Sequence, residues 1–139
     1  MKGTYVLLID VRNPIDVTVG KLGRVAFKAG SYAYVGSAQN SLEKRVQRHL
    51  RKCKHHFWHI DYLLDQENAS VSRVLFKVGH KEEECQTAKR IAEKSKPIKA
   101  FGCSDCKCKS HLFEIADDST PLSLLDFAPL IISPTDTKA

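Results

Sequence analysis

The first third of the chain breaks into short apolar runs bounded by turn residues, a pattern that predicts strands. Residues 4–10, TYVLLID, are β-branched, aromatic and aliphatic, and Asn13-Pro14 closes the run with a turn signal. Gly20, Gly23, Gly30 and Gly36 then punctuate segments near 17–19, 24–28 and 31–36 that read as strands joined by hairpins. In the last of these, alternation puts Tyr32, Tyr34 and Gly36 on one face and Ala33 and Val35 on the other. The period then lengthens. Asn40-Ser41 caps a helix, with Glu43 three residues after Asn40, and Leu42, Val46, Leu50 and Cys53 recur as its apolar stripe. A second helix is expected over 57–66, a strand over 71–78, a third helix from about His80 to Lys94 as Pro97 approaches, and a strand over 111–116. The order β-β-β-α-α-β-α-β predicts an α+β fold: a small, mainly antiparallel sheet of three core strands plus an extra hairpin or edge strands, packed with about three helices.

Composition limits the classes. With 139 residues and 42% apolar content the chain can bury a core, which excludes a mostly disordered protein. One domain is expected over 1–116, followed by an acidic extension over 117–139 containing Pro, Ser and Thr. No apolar run approaches the roughly 18–20 residues that span a bilayer, and the first residues lack a signal-peptide pattern. The expectation is a cytoplasmic protein without a membrane partner, its five cysteines being reduced thiols or metal ligands.

Charge sharpens this. The net charge is +6, but five acids (Glu114, Asp117, Asp118, Asp126, Asp136) and one base lie from Glu114 onward, so residues 1–113 carry +10 and the end −4. A body this basic suggests a polyanionic partner, most simply nucleic acid. The acidic end is a candidate to fold back over the basic surface.

On a helical wheel from Leu42, Arg45 and His49 flank the apolar arc, whereas Lys44, Arg48, Arg51 and Lys52 fall on the solvated side. An Arg at such an edge is most useful against a phosphate or carboxylate. The wheel also describes an ordinary amphipathic helix whose long side chains reach solvent. On the third helix, Glu84 alone of three consecutive glutamates shares the apolar side with Cys85, Ala88, Ile91 and Ala92. A carboxylate there needs a metal ion, a basic partner or backbone donors. Mg²⁺ suits a site of one carboxylate completed by waters and a substrate phosphate. One carboxylate, one Arg and tyrosines on a sheet face make a phosphodiester-cleaving site conceivable. Tyr is a poor base at its usual pKa of about 10, so a cation would have to stabilise its phenolate.

Gly3-Thr4-Tyr5, then Tyr34-Val35-Gly36, an Arg nine residues after Gly36 and a Glu on a later helix resemble the GIY-YIG nuclease superfamily over roughly residues 3–115. The resemblance implies metal-dependent DNA hydrolysis on an antiparallel sheet with helices. It casts Tyr5, Tyr34, Arg45, His49 and Glu84 as catalytic, with Glu84 holding Mg²⁺ or Mn²⁺. Lys44, Arg48, Arg51, Lys52, Lys54 and His59 would contact the nucleic acid, most simply DNA. The chain departs from the family pattern at Thr4 for Ile, at Ser37 where several members carry Lys, and in the Asn that often follows the Glu, for which Ser104 and Asp105 are only nearby. The two motifs lie further apart than is typical, so an extra hairpin is expected between them. HIDYLL and SDCKCKSHLF resemble a branch sometimes joined to an endonuclease III-like glycosylase, which implies DNA repair and a repair partner. A non-catalytic nucleic-acid-binding module on the same scaffold, or a zinc-stabilised binding module, is the alternative.

Cys103, Cys106, Cys108 and His111 are soft ligands within nine residues and a candidate zinc site. If the chain is strand from Cys106 onward, His111 points away from Cys106 and Cys108, and the four do not readily meet at one ion. Cys53 and Cys85, on apolar helix faces, are expected in the core. So are Phe57 and Trp58, while His55, His56 and His59 with Asp61 form a second polar cluster that suits a helix start or a substrate contact.

Overall fold

The structure is a computed structural model that describes residues 1–52, 55–56, 58–102, 108, 110–116 and 126–131. Cys53, Lys54, Phe57, Cys103, Ser104, Asp105 and Cys106, and most of the acidic extension, lie outside the described residues.

Strand β1 (Gly3–Val11) is the spine of a six-stranded sheet. It pairs antiparallel with β4 (Gly30–Ala38) on one side and β5 (Ala69–Val78) on the other. Both flanks and both faces of β1 are covered, which explains why its sequence is a nearly unbroken apolar run. A short β7 (Leu112–Ile115) extends the sheet beyond β4 and carries the two-residue β6 (Lys96–Pro97) at its rim. On the other side β8 (Ala128–Pro129) pairs with β5, and Phe127 enters the core. Asp126 of this returning segment pairs with Lys77 and Arg90, at 3.0 and 3.7 Å, not with the bases of the helix after β4.

The expected extra hairpin is present as β2 (Ile15–Val19) and β3 (Gly23–Phe27), a separate two-stranded ribbon. The α+β architecture, its mainly antiparallel sheet and its three helices are as the sequence predicts.

The two sheet faces sort as alternation requires. Tyr5, Leu7, Ile9, Tyr32 and Tyr34 pack with α1 (Leu42–Leu50), α2 (His59–Leu64) and the ribbon, whereas Val6, Leu8, Ala33 and Val35 pack with Ala88 and Ile91 of α3 (Glu83–Ala92). A bulge in β5 at Ser72, whose hydroxyl donates to the Leu8 carbonyl (3.0 Å), shifts the register against β1 between Leu8 and Ile9.

Ser41 caps α1 by accepting the Lys44 N–H at 3.2 Å, while Glu43 instead pairs with the chain's N-terminal ammonium at 3.1 Å. The helix stops at Leu50, before the predicted stripe reaches Cys53, because the backbone turns extended at Arg51. Beyond that turn the Lys52 ammonium donates to the carbonyls of Leu64, Gln66 and Ala69, satisfying acceptors at and just beyond the C-terminal end of α2.

Candidate functional site

At the end of the sheet where β1 starts and β4 finishes, a cleft of about 550 Å³ opens between α1 and the approach to α3. Tyr5, Tyr34, Arg45 and Glu84 all line it, although they come from four different elements. The cross-strand register explains part of this: Tyr5 sits opposite Gly36, and Tyr34 lies two positions further along the same face of β4. Gly36 is required by its neighbour. A Cβ there would lie 2.5 Å from both Cζ and the hydroxyl oxygen of Tyr5, whose ring is buried against that strand.

The Tyr5 hydroxyl is 2.7 Å from His49 Nε2, and His49 is almost fully buried behind it. The other ring nitrogen of His49 stands 4.0 Å from the Asp61 carboxylate, itself wholly inaccessible. Burial pushes the Tyr5 phenol well above the usual tyrosine range, and the Arg45 guanidinium beside it only partly opposes that shift. Burial raises Tyr34 as well, reinforced by the nearby Tyr5 and Glu84. Both phenols are therefore neutral.

Arg45 is aimed rather than loose. Its Nη1 donates to the Ser37 carbonyl at 3.0 Å, and its guanidinium lies 4.4 Å from the centre of the Trp58 ring. Glu84 Oε1 accepts from the Ser37 hydroxyl at 3.4 Å, and Oε2 approaches His111 Nδ1 to 3.3 Å without the alignment of a hydrogen bond. Its partners in the fold are thus a serine and a histidine.

The remaining expected contacts divide. Lys44 is exposed on the cleft rim and Arg51 at the end of α1. Arg48 also lines the cleft, but it does not stand on a solvated side as the wheel predicts. It makes a bidentate pair with Asp61, at 2.8 and 3.0 Å, donates to the His55 carbonyl and lies over Trp58. The reason is tertiary: α2 brings the buried Asp61 against that side of α1. Lys52 is spent on the end of α2, as described. His59 accepts the Gly102 N–H at 2.9 Å, with burial lowering its pKa, and so fastens the loop at one wall of the cleft.

Among the cysteine and histidine candidates, Cys108 and His111 do come together, and Cys85 from α3 joins them. One ligand atom from each lies within 4.8 Å of the others, so the three form a group able to hold a metal ion. The expected divergence of His111 from Cys108 does not arise because β7 begins only at Leu112, so the strand alternation does not include His111.

Sequence reasoning missed three contributors. Trp58, expected in the core, is a half-buried platform under two arginines; the adjoining basic residues were its only signal. Lys81 lines the cleft just ahead of α3. Cys85 turns toward His111 instead of being simple core packing, which no local spacing reveals.

An α+β sheet with a largely basic cleft at one end, containing one carboxylate, defines the structural class. The chain belongs to the family described as "Domain of unknown function DUF123", whose model matches residues 4–128. No curated protein and no solved structure matches it. Among the described residues, no helix is long and apolar enough to cross a membrane.

Proposed function

We propose that the cleft hydrolyses phosphodiester bonds of DNA with a hard divalent cation, Mg²⁺ or Mn²⁺, and that the chain is a GIY-YIG-type endonuclease acting in DNA repair or processing. The observation that supports it best is convergence: Tyr5, Tyr34, Arg45 and Glu84, distant in sequence, line one cleft. Glu84 is the only acid among the described residues of that cleft, which otherwise presents Lys44, Arg45, Arg48 and Lys81. A single carboxylate, completed by waters and a substrate phosphate, is a donor set that suits Mg²⁺. When bound, the cation supplies charge neutralisation and a more acidic water.

The protein groups then have distinct tasks. Arg45, fixed by the Ser37 carbonyl and the Trp58 face, offers charge-assisted hydrogen bonds to the scissile phosphate. Tyr5 orients the attacking water, and His49 Nε2 is in line to take a proton through the Tyr5 hydroxyl. Tyr34 orients from the opposite strand. Lys44 and Lys81 hold flanking phosphates, making binding salt-sensitive. Lys81 also brings a lysine to a cleft in which Ser37 stands where several resembling nucleases carry one. The sulfur and imidazole donors of Cys85, Cys108 and His111 suit zinc rather than magnesium, so this reading includes two chemically different metals.

The test is incubation of the purified chain with duplex, nicked, flap and single-stranded DNA in Mg²⁺ or Mn²⁺. Cleavage that stops with a chelator, and falls on the order of 10²–10³-fold in Arg45→Ala, is expected. Salt-sensitive DNA binding with no cleavage of any substrate by folded protein would replace the enzyme by a non-catalytic binding module.

A further inference from the structure

Behind the cleft, α3 and the segment leading into β7 meet through side chains that a nuclease of one hard cation does not need. Cys85 Sγ lies 3.9 Å from His111 Nε2, and Cys108 completes a group whose ligand atoms are all within 4.8 Å of one another. In a tetrahedral zinc site with Zn–S near 2.3 Å and Zn–N near 2.0–2.1 Å, neighbouring ligand atoms stand about 3.5–3.8 Å apart. The observed separation is close to that before any ion draws the group in. The other nitrogen of the same ring, Nδ1, is 3.3 Å from Glu84 Oε2. His111 therefore has one nitrogen toward the thiols and the other toward the carboxylate of the cleft.

We infer that Cys85, Cys108 and His111 bind one zinc ion, and that His111 couples this zinc to Glu84. Zinc takes the two thiolates and His111 Nε2, with the two thiol protons released to solvent, and its fourth tetrahedral position goes to water or one further donor. Metallation at Nε2 leaves the proton on Nδ1, which stands 3.3 Å from Glu84 Oε2 but outside hydrogen-bond alignment, so the coupling is made by a small turn of the ring as zinc draws in Nε2. That contact fixes the imidazole as a ligand and the carboxylate as its outer partner, the arrangement in which such a carboxylate strengthens metal binding. Glu84 is the next residue to Cys85 on α3, so one helical turn holds a thiolate toward the zinc and a carboxylate toward the cleft. Zinc is then a positioning device: it sets the rotamer in which Glu84 meets the hard cation and substrate. The zinc site stands on the geometry alone; only this consequence for the hard cation rests on the nuclease reading.

The experiment uses the full chain, kept under a non-metal-binding reductant. Elemental analysis is expected to give about one zinc per chain. Replacement by Co²⁺ is expected to give the intense visible and thiolate charge-transfer bands of a tetrahedral sulfur site. Both signals should disappear in Cys85→Ser and in Cys108→Ser. Glu84→Gln should still bind zinc but with affinity roughly 10–100-fold weaker, as expected for loss of an outer-sphere carboxylate. If either serine variant fails to fold, Co²⁺ titration of the wild-type chain decides the site. Wild-type protein with neither stoichiometric zinc nor a thiolate–cobalt band overturns the site, and unchanged zinc affinity in Glu84→Gln overturns the coupling. None of these readings uses DNA. A chain that binds zinc as described yet cuts no substrate therefore fails only as a nuclease, and a zinc-free chain that cuts DNA fails only here.

Discussion

Gly36→Ala places the smallest side chain where the structure has room for none. The added carbon would lie 2.5 Å from Cζ and the hydroxyl oxygen of Tyr5, whereas ordinary carbon contacts are about 3.5–4.0 Å. The ring must withdraw by about 1 Å or more, and it has nowhere easy to go. Tyr5 is 1% exposed, its strand is paired on both flanks, and its hydroxyl contacts His49 at 2.7 Å. Overpacking of a filled interior costs about 1–3 kcal/mol. For a chain of this size the melting temperature should fall by roughly 3–10 °C. Thermal unfolding by circular dichroism measures it, and a cycle with Tyr5→Leu isolates the cause. Shortening the side chain removes the clash, so adding Gly36→Ala to Tyr5→Leu should cost clearly less than adding it to wild type. Equal costs in both backgrounds would refute the argument that Gly36 is glycine because of the Tyr5 ring.

Two further outcomes concern buried polar groups. Tyr5 and Tyr34 are held neutral by burial, whereas in the unfolded chain they ionise near pH 10. Above that pH the folded state binds more protons than the unfolded one, so the stabilisation is complete below pH 10 and declines as pH rises, by roughly 1.4 kcal/mol per pH unit for each phenol. Urea midpoints measured from pH 8 to 11 should show this decline, with a shallower slope in Tyr5→Phe; the same slope in the variant would contradict it. Arg48→Ala leaves the inaccessible Asp61 carboxylate without its bidentate partner, although the Trp58 N–H still donates to it at 2.9 Å. A loss of about 3 kcal/mol is expected, the low end for a broken buried pair. Denaturant titration checks it, and the double variant Arg48→Ala/Asp61→Asn should recover part of the loss.

How much of this was legible depends on which contacts are local. The strand alternation that placed Tyr32 and Tyr34 together, and Ala33 and Val35 opposite, is a property of the backbone, and the two core faces follow it. The inward positions of His49 and Glu84 were equally legible, because helical period fixes them once one apolar face is buried. The engagement of the Arg48 and Lys52 head groups was not, although Lys52 is exposed as the wheel predicts. Both reach carboxylate or carbonyl oxygens of α2 and the turn after it, and no wheel drawn on α1 contains those groups. Cys85 is the sharper case. Its helical position is right for the core, but its partner stands ahead of β7, 26 residues away, and only tertiary packing brings them within 3.9 Å.

The measurement that bears most directly on the cleft compares wild type with Glu84→Gln on one DNA substrate. Affinity is read in Ca²⁺, and single-turnover cleavage in Mg²⁺. If Glu84 holds the catalytic cation, DNA affinity should stay within about threefold, since one removed acid offers no grip on phosphate. Cleavage should fall on the order of 10²-fold or more, the effect of several kcal/mol of lost charge stabilisation. Undiminished cleavage by the folded variant would contradict the assignment of Glu84 and, with it, the proposed chemistry of the cleft.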